Sequence, residues 1–376
     1  MGRYAGWGRR LSGIGVHHGD RLQDAAGGEG CGLGRGAIGA NRRLLVLLLR
    51  LVCGIISGFC LRRGEMATLK EMAAKVSPLA SGHRACAGCP APTVVRQVLM
   101  AAEYPVVVTC STGCLEVVTT IYPYTAWRVP FMHSAFENAA ATIAGIETAY
   151  RALKKQGKID RDIRFIAFGG DGGTYDIGLQ ALSGAIERGH RFLYVCYNNE
   201  AYMNTGIQRS SATPMFANTT TAPVGKAVCG KPQWRKDLTE IVAAHNIPYA
   251  AQASVSHWRD LMRKVEKALE VDGPAFINVL SPCPRGWRHD PSKSVAVARV
   301  AVQTCYWPLY EVENGRYRIT VRPKEKKPVI EWLFMQGRFA HLKKPEAQDA
   351  VEEIQKFVDA KWAWLQKMEK LGTEES

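Results

Sequence analysis

Residues 164–199 read RFIAFGGDGGTYDIGLQALSGAIERGHRFLYVCYNN. Two apolar runs rich in aromatic and β-branched residues, 164–170 and 191–199, enclose a segment whose apolar residues between 177 and 186 recur at helical spacing. This stretch predicts a strand, a helix and a second strand, which together make one parallel β-α-β unit. Such a unit is typical of an α/β fold in which helices cover both faces of a mostly parallel sheet.

The hydrophobic pattern extends this fold class to both sides of the unit. Further strands are predicted at 106–110, 248–254 and 275–281, and further helices at 136–153 and 258–271. Residues 209–236 lack any periodicity and predict a long functional loop. Residues 66–283 are therefore expected to form one α/β domain.

The C-terminal part has a different pattern. Residues 284–345 are irregular, aromatic and basic, with a hairpin signal at Asn314-Gly315, and Pro345 begins an amphipathic helix that extends to about residue 371. We expect residues 284–376 to form an arm and a helix that pack on the domain or on partner subunits. The aromatic residues of the arm that are expected to contact a partner are Trp287, Tyr306, Trp307 and Tyr310.

The first 65 residues differ in composition from the rest of the 376-residue chain. The chain is 47% hydrophobic and 22% charged, which excludes disorder, collagen and coiled coil for most of it. Residues 1–65, however, hold ten arginines, no lysine and 16 of the 36 glycines; without them the net charge falls from +15 to +9, with 39 basic against 30 acidic residues. We expect this leader to be non-native or dispensable, with Met66 as the start.

A signal or membrane anchor is the alternative interpretation of the leader, because residues 44–61 are largely apolar. Arg50 lies inside that run, and an arginine at mid-membrane costs about 2.5–3.5 kcal/mol. No run of 18 apolar residues follows Met66, so no membrane contact is expected for the body. Eleven cysteines in so long a chain are too few for a disulfide scaffold, which favours the cytoplasm.

Unusual residues follow several of the predicted strands. Cys114, Asp171 and Cys283 each come shortly after a predicted strand, and Asn199 is the last residue of one. In an open parallel sheet, ligands bind beyond the carboxyl ends of the strands, where loops and helix N-termini meet. If the strands belong to one sheet, these four side chains share one edge of it.

Asp171 lies at the centre of a glycine-rich turn, GGDGG at 169–173. The glycines allow the close backbone approach that a diphosphate needs, and the helix that follows presents free N–H groups. Asp171 stands where a cation bridging the diphosphate would lie, and Asn199 ends the next strand. A carboxylate, an amide oxygen and a nearby main-chain carbonyl favour Mg²⁺. The alternative is a glycine turn beside a purely structural Asn-Asn turn.

The cysteines suggest a second cofactor, because a [4Fe–4S] cluster takes four thiolates. Four cysteines in predicted loops are able to supply them: Cys86, Cys89, Cys114 and Cys283. Cys110 and Cys196 fall inside strands, where a free cysteine is a small buried hydrophobe. Cys229 in the aperiodic loop is a competing fourth ligand, and a zinc knuckle is the alternative for the C-x-x-C pair.

Motifs along most of the chain carry a family resemblance. Gly170-Asp171-Gly172 followed by Asn198-Asn199 resembles the thiamine diphosphate motif, and EAYMNTGIQRSSATP (200–214) is similar to the β subunit of pyruvate:ferredoxin oxidoreductases. The likeness extends from about Gly82 to Leu342 and includes GHRACAGC, TGCLEVVTTIYPYTAW, FENAAATIAGIE and GPAFINVLSPCPRGW. It implies the thiamine diphosphate-binding variety of the α/β fold.

The resemblance also implies roles for individual residues. It assigns Mg²⁺ to Asp171, Asn199 and the carbonyl of Ala201, and it favours Cys283 over Cys229 as the fourth cluster ligand. The residues expected to line the thiamine diphosphate are Gly170, Asp171, Gly172, Gly173, Cys114, Asn199, Glu200, Ala201, Tyr202, Met203 and Asn204.

Catalytic groups are expected on more than one chain. Asn204 and Thr205 are the candidates in this chain, whereas the glutamate that activates the aminopyrimidine is expected on a partner subunit. Pro90 and Ala91 depart from the Gly and Glu that the family often has there, so no cofactor contact is expected at position 91.

The function implied is that of the β subunit of a pyruvate:ferredoxin oxidoreductase, or pyruvate synthase. Such an enzyme converts pyruvate and coenzyme A to acetyl-CoA and CO₂ and reduces ferredoxin, using thiamine diphosphate, Mg²⁺ and a [4Fe–4S] cluster. The expected partners are α-, γ- and δ-type subunits and ferredoxin, with no nucleic acid. The alternatives are a related 2-oxo acid enzyme such as a branched-chain one, a non-redox thiamine diphosphate decarboxylase or carboligase, and a non-catalytic cysteine–metal module.

Overall fold

The computed structural model describes residues 68–226 and 228–374 of the chain. The predicted leader, residues 1–65, lies outside them. The strands of the described chain are β1 (Val106–Ser111), β2 (Phe131–Ser134), β3 (Arg164–Gly170), β4 (Leu193–Asn198), β5 (Tyr249–Ser254), β6 (Ala275–Leu280), β7 (Leu309–Glu313) and β8 (Arg316–Val321).

These strands form one sheet in the order β2-β1-β3-β4-β6-β5-β7-β8. Strands β1 to β6 are parallel, whereas β7 pairs antiparallel with β5 and β8 antiparallel with β7. The prediction of a mostly parallel sheet is confirmed, and the five strands predicted from hydrophobic runs are present. The local sequence does not predict the short edge strand β2, because FMHS contains no apolar run, and the strand is partly exposed in the structure.

Burial on both faces explains the uninterrupted apolar sequences of the central strands. Every residue of β4, β5 and β6 is buried. In β3, alternate side chains enter opposite layers: Ile166 and Phe168 belong to one apolar cluster, and Phe165 and Ala167 to the other. The sheet therefore separates two cores, each of which needs its own layer of helices.

The helices are α1 (Leu69–Ala74), α2 (Ala91–Ala101), α3 (Cys114–Thr119), α4 (Ala139–Lys155), α5 (Leu179–Glu187), α6 (Leu238–Ala243), α7 (Trp258–Glu270), α8 (Pro284–Trp287), α9 (Ser294–Gln303), α10 (Val329–Leu333) and α11 (Gln348–Glu374). Helices α2, α7 and α9 contribute buried residues to the first core, and α4, α5 and α6 to the second. None of the helices described is both long enough and apolar enough to cross a bilayer.

The C-terminal part is more regular than its sequence predicts. The hairpin signal is confirmed, since Asn314 and Gly315 both have positive φ, 49° and 80°, as a type I′ turn requires. The hairpin extends the main sheet beside β5, which the local sequence does not predict. Helix α9 is a further unpredicted element within residues 284–345.

The prediction that the aromatic residues of the arm contact a partner is wrong. Trp287, Trp307 and Tyr310 are at most 1% exposed, and Tyr306 stacks on Trp332 with ring centroids 3.9 Å apart. The arm folds back on its own domain, so Trp287, Tyr306 and Trp307 belong to the first core of the same chain and Tyr310 to the second. Burial of large aromatic area within the chain provides a sufficient reason for their presence.

Candidate active site

The carboxyl ends of four adjacent parallel strands, β1, β3, β4 and β6, meet at one edge of the sheet. The pairing of Gly170 with Tyr197 and of Asn198 with Leu280 aligns three of these ends. The chain segments that leave this edge carry Cys114, Asp171, Asn199 and Cys283. The structure thus brings together the four side chains that the sequence places after strand ends.

The glycine-rich turn after β3 has an unexpected shape. Residues Gly172–Asp176 form one turn of π-helix, and α5 begins only at Leu179, later than the pattern predicts. A Cβ atom on Gly172 would lie 2.4 Å from the ring of Tyr202, and one on Gly173 would lie 2.9 Å from the carbonyl oxygen of Phe136. Both positions therefore require glycine because neighbouring atoms approach the backbone closely.

Asp171, which precedes the π-helical turn, is wholly buried. Its Oδ1 accepts a hydrogen bond from the backbone N–H of Asn199 at 3.3 Å, and its Oδ2 accepts one from the Ser210 hydroxyl at 2.5 Å. Burial raises the pKa of Asp171 to about 7, and these hydrogen bonds oppose that shift. A carboxylate that is fully buried is stabilised by a nearby positive charge, which compensates for its loss of hydration.

The side-chain amide of Asn199 shows where such a charge fits. One terminal atom of this amide lies 2.9 Å from Asp171 Oδ1 and 2.8 Å from the carbonyl oxygen of Ala201. If this atom is nitrogen, it donates to both oxygens. If it is oxygen, three acceptors converge on one point, where a bound cation would stabilise them. The oxygen set of Asp171, Asn199 and Ala201 therefore suits a small divalent cation.

A pocket lies at this edge of the sheet. The predicted residues that line it are Cys114, Gly170, Asp171, Gly172, Gly173, Asn199, Ala201, Tyr202, Met203, Asn204 and Thr205. Glu200 belongs to the same loop, but its carboxylate faces Arg338 and Arg235, and it is fully buried. The structure therefore places the predicted lining residues around one cavity, with Glu200 behind it.

Sequence reasoning missed four lining residues, which are Thr112, Gly113, Phe136 and Tyr197. Thr112 and Gly113 directly precede Cys114 and could have been found by extending the motif. Tyr197 carries no such signal, because it lies in β4 and looks like a core residue. Its hydroxyl accepts a hydrogen bond from the Leu115 backbone N–H at 3.4 Å, next to Cys114.

The structure also brings the candidate cluster ligands into one neighbourhood. Burial raises the pKa of the Cys114 thiol well above its usual value. The neighbouring groups that raise it further are Cys283, Cys89, Cys86 and Asp171. Burial likewise raises the pKa of Cys89 to about 11, and Cys283 and Cys86 add to this effect. The four sulfur atoms are therefore close enough to influence one another electrostatically.

The loop that holds the C-x-x-C pair is shaped by Gly88. Its φ is 72°, and the Cys89 N–H donates to the Cys86 carbonyl oxygen at 3.0 Å in a tight turn. A Cβ atom on Gly88 would lie 2.2 Å from the carbonyl oxygen of Pro291. This contact packs the loop against the segment that follows Cys283, whose sulfur accepts from the Gly286 N–H at 3.3 Å.

The remaining described cysteines lie elsewhere. Cys110 and Cys196 are fully buried within strands, as predicted, and Cys305 is also buried. Cys229 is exposed and pairs through a backbone bridge with Val224. Within the described residues, no three His, Cys, Asp or Glu side chains are arranged to hold one metal ion. A four-iron cluster requires a wider arrangement, because each thiolate binds a different iron atom.

Comparisons with known proteins agree with this geometry. Residues 108–279 match the family model described as thiamine pyrophosphate enzyme, C-terminal TPP binding domain. Over 308 residues the chain is 56% identical to pyruvate synthase subunit PorB of Thermotoga maritima, covering 80% of this chain and 95% of that protein. It is also 56% identical over 284 residues to the subunit of that name from Methanocaldococcus jannaschii, covering 75% and 94%.

A third relative acts on a different 2-oxo acid by name. The chain is 46% identical over 290 residues to ketoisovalerate oxidoreductase subunit VorB of Pyrococcus abyssi, covering 77% of this chain and 92% of that protein. The similarity thus extends over nearly the whole length of each of these relatives.

Proposed function

The chain belongs to the family of pyruvate synthase B subunits, and from this membership we propose that it is the thiamine diphosphate-binding subunit of a pyruvate:ferredoxin oxidoreductase. The complex converts pyruvate and coenzyme A to acetyl-CoA and CO₂ and passes the electrons to ferredoxin. The observation that carries the proposal is the meeting of Asp171 Oδ1, the Asn199 side-chain amide and the Ala201 carbonyl oxygen, beside a turn where Gly172 and Gly173 leave no room for a Cβ atom.

The residues at this edge are proposed to bind the cofactor in two ways, through a cation and through the backbone of the glycine turn. Asp171, Asn199 and the Ala201 carbonyl would be the protein ligands of Mg²⁺, which would neutralise the charge of the diphosphate. The glycine backbone at 172–173 approaches the diphosphate without side chains in the way. When bound, thiamine diphosphate supplies the carbanion and the electron sink for decarboxylation of a 2-oxo acid.

Cys86, Cys89, Cys114 and Cys283 are proposed to bind one [4Fe–4S] cluster. The pKa of Cys114 is raised by Cys283, Cys89 and Cys86, which supports this set. Cys229 is exposed and pairs with Val224 in the aperiodic loop. Burial disfavours the free thiolates, so a cluster that binds the thiolate form compensates for that cost. Cys114 lines the pocket and is also one of the four proposed cluster ligands. We therefore propose that the two cofactors lie next to each other.

Other subunits complete the active site in this proposal. Among the described residues that line the pocket, Asp171 is the single carboxylate, and in this proposal it would bind the cation. The acid or base that activates the cofactor therefore comes from a partner chain, and the proposed partners are α-, γ- and δ-type subunits. Every cysteine in the described residues is a free thiol, which fits a reducing compartment such as the cytoplasm.

A branched-chain 2-oxo acid is the second candidate substrate. The observation in its favour is the 46% identity to a ketoisovalerate oxidoreductase subunit. The 56% identity to two pyruvate synthase subunits favours pyruvate. The site in this chain holds the cofactor, so residues of other subunits decide the size of the substrate pocket.

The assembled complex tests both the activity and the substrate. We would purify the complex that contains this chain, determine its thiamine diphosphate and iron content, and measure ferredoxin reduction with coenzyme A and either pyruvate or 2-oxoisovalerate. We expect faster reduction with pyruvate. Faster reduction with 2-oxoisovalerate would select the second candidate. Decarboxylation without ferredoxin reduction, at full thiamine diphosphate and iron content, would contradict the oxidoreductase assignment.

A further inference from the structure

Glu200 occupies an unusual place between two of the proposed cation ligands. It lies between Asn199 and Ala201, and its φ of 65° is in the left-handed region that favours glycine or asparagine. It is also fully buried, although it carries a carboxylate. The backbone conformation and the burial are both unfavourable for a glutamate. We infer that its side chain makes contacts that compensate for this cost.

The carboxylate of Glu200 binds an arginine from the C-terminal arm. Arg338 Nη2 donates to Glu200 Oε2 at 2.5 Å, and Arg338 is only 2% exposed. Arg235 Nη1 lies 3.6 Å from the other oxygen, Oε1. One buried carboxylate thus lies between two guanidinium groups contributed by distant parts of the chain.

Arg338 also acts through Trp287 on residues 199–201, which we call the cation loop. The guanidinium of Arg338 lies over the ring of Trp287, 3.9 Å from its centroid. The indole N–H of Trp287 donates to the carbonyl oxygen of Asn199 at 2.7 Å. Arg338 therefore restrains the loop through the side chain of Glu200 and supports the group that binds the backbone of Asn199.

From these contacts we propose that Arg338 is a positioning residue for the cation and diphosphate. The Glu200–Arg338 pair, with Trp287, holds residues 199–201 in the conformation that brings the side-chain amide of Asn199 close to oxygens of Asp171 and Ala201. The C-terminal arm thereby sets the affinity for thiamine diphosphate without touching it. This inference rests on the proposed function, because it assumes that these oxygens bind Mg²⁺.

A purely structural role makes a different prediction. Buried ion pairs are poor devices for stability, since desolvation of the charges offsets their attraction, whereas breaking one is costly. Loss of Arg338 would then lower the unfolding temperature and leave cofactor affinity alone. The matched control is the buried Lys264, which lies 2.7 Å from Asp260 on α7 and otherwise bonds Gln252 and Thr320, away from residues 199–201.

The test uses the assembled complex after its cofactor has been removed with a chelator. Thiamine diphosphate is titrated at fixed Mg²⁺, and Mg²⁺ at fixed thiamine diphosphate, by calorimetry, for the wild type, Arg338→Met, Arg338→Lys and Lys264→Met. The unfolding temperature of the cofactor-free form and the iron content are measured alongside. We expect Arg338→Met to weaken Mg²⁺-dependent binding about tenfold or more, as loss of an outer-shell partner does.

The other variants separate positioning from stability. Arg338→Lys should restore part of the affinity, because it keeps the charge that faces Glu200. Lys264→Met should lower the unfolding temperature with unchanged affinity, and iron content should stay the same throughout. Equal thiamine diphosphate affinity in the wild type and Arg338→Met would overturn the inference. If Arg338→Met does not assemble, Glu200→Gln and Arg338→Lys decide, and wild-type affinity in both would overturn it.

The outcome for the wild type is informative by itself. A wild-type complex that binds no thiamine diphosphate with Mg²⁺ would refute the proposed function, and with it the premise of this inference. A wild type that binds the cofactor, together with variants that bind it equally well, would refute only the role of Arg338.

Discussion

The hydroxyl of Ser210 donates a 2.5 Å hydrogen bond to Asp171 Oδ2, although the two residues are 39 positions apart and both are fully buried. This contact occupies one carboxylate oxygen and leaves Oδ1 directed toward Asn199. The long aperiodic loop after β4 therefore returns to the glycine turn and orients its carboxylate. The loop is therefore part of the proposed cation site.

Substitution of Ser210 by alanine should weaken cofactor binding. A hydrogen bond to a charged group contributes about 1.5–3 kcal/mol, and about 1.4 kcal/mol corresponds to a factor of ten. We expect the affinity for thiamine diphosphate at fixed Mg²⁺ to fall about tenfold in a calorimetric titration. Ser183→Ala is the control, because its hydroxyl bonds His245 at 2.9 Å outside the pocket. Unchanged affinity in Ser210→Ala would show that Asp171 is oriented without it.

Replacement of Asp171 by asparagine should abolish the charged anchor and preserve the shape of the site. Without the carboxylate, Mg²⁺ loses its only charged protein ligand among the described residues of the pocket. We expect purified Asp171→Asn complex to lack thiamine diphosphate and to retain the iron content of the wild type. Thiamine diphosphate bound at the wild-type level would contradict the assignment of the cation site.

Two glycine-to-alanine substitutions, one in the glycine turn and one in α4, should have opposite effects on stability. At Gly172 the new Cβ would lie 2.4 Å from the Tyr202 ring, so the ring must move and lose its 3.0 Å hydrogen bond to the Gly172 carbonyl oxygen. Gly172→Ala should therefore lower both cofactor affinity and the unfolding temperature.

Gly145 lies in α4, where a Cβ atom would contact nothing within 4 Å apart from its chain neighbours and the backbone of the helix itself. Gly145→Ala should stabilise the protein by about 0.5–1 kcal/mol through helix propensity and should leave cofactor affinity unchanged. Thermal unfolding and a thiamine diphosphate titration measure both effects. A harmless Gly172→Ala would mean that the turn does not need its close approach to Tyr202.

Serine substitutions of cysteines should divide into two groups. Loss of iron, sulfide and the broad visible absorption of an iron–sulfur cluster is expected for changes at Cys86, Cys89, Cys114 and Cys283. The wild-type iron content is expected for Cys229→Ser and Cys305→Ser, because Cys229 is exposed in the loop and Cys305 is buried elsewhere. Loss of iron with Cys229→Ser and retention with Cys283→Ser would reverse the choice of fourth ligand.

Local pattern was sufficient for much of the fold. Apolar runs bounded by glycine and polar residues identified the five main parallel strands. A strand that is buried on both faces is apolar at nearly every position, so its sequence shows a continuous apolar run. Asn314-Gly315 identified the hairpin, since few residues adopt positive φ at both central positions. These features depend on neighbours in sequence, so the chain alone carries the information.

The candidate site was only partly predictable. The sequence placed Cys114, Asp171, Asn199 and Cys283 after strand ends, and the strand order of the folded sheet brings those ends together. Ser210, Tyr197 and Arg338 were missed, because each acts through a partner at least 30 positions away and carries no local motif.

The amino-acid sequence by itself determined the fold class, the glycine turn around Asp171 and the identity of the side chains available to cofactors. Tertiary structure alone decided that the C-terminal arm folds onto its own domain, that its aromatic residues are core rather than interface, and that Glu200 faces Arg338 instead of the pocket. The physical reason is the range of the interactions. Backbone propensity and hydrophobic periodicity act over a few residues, whereas burial and ion pairing join any two segments that packing brings together.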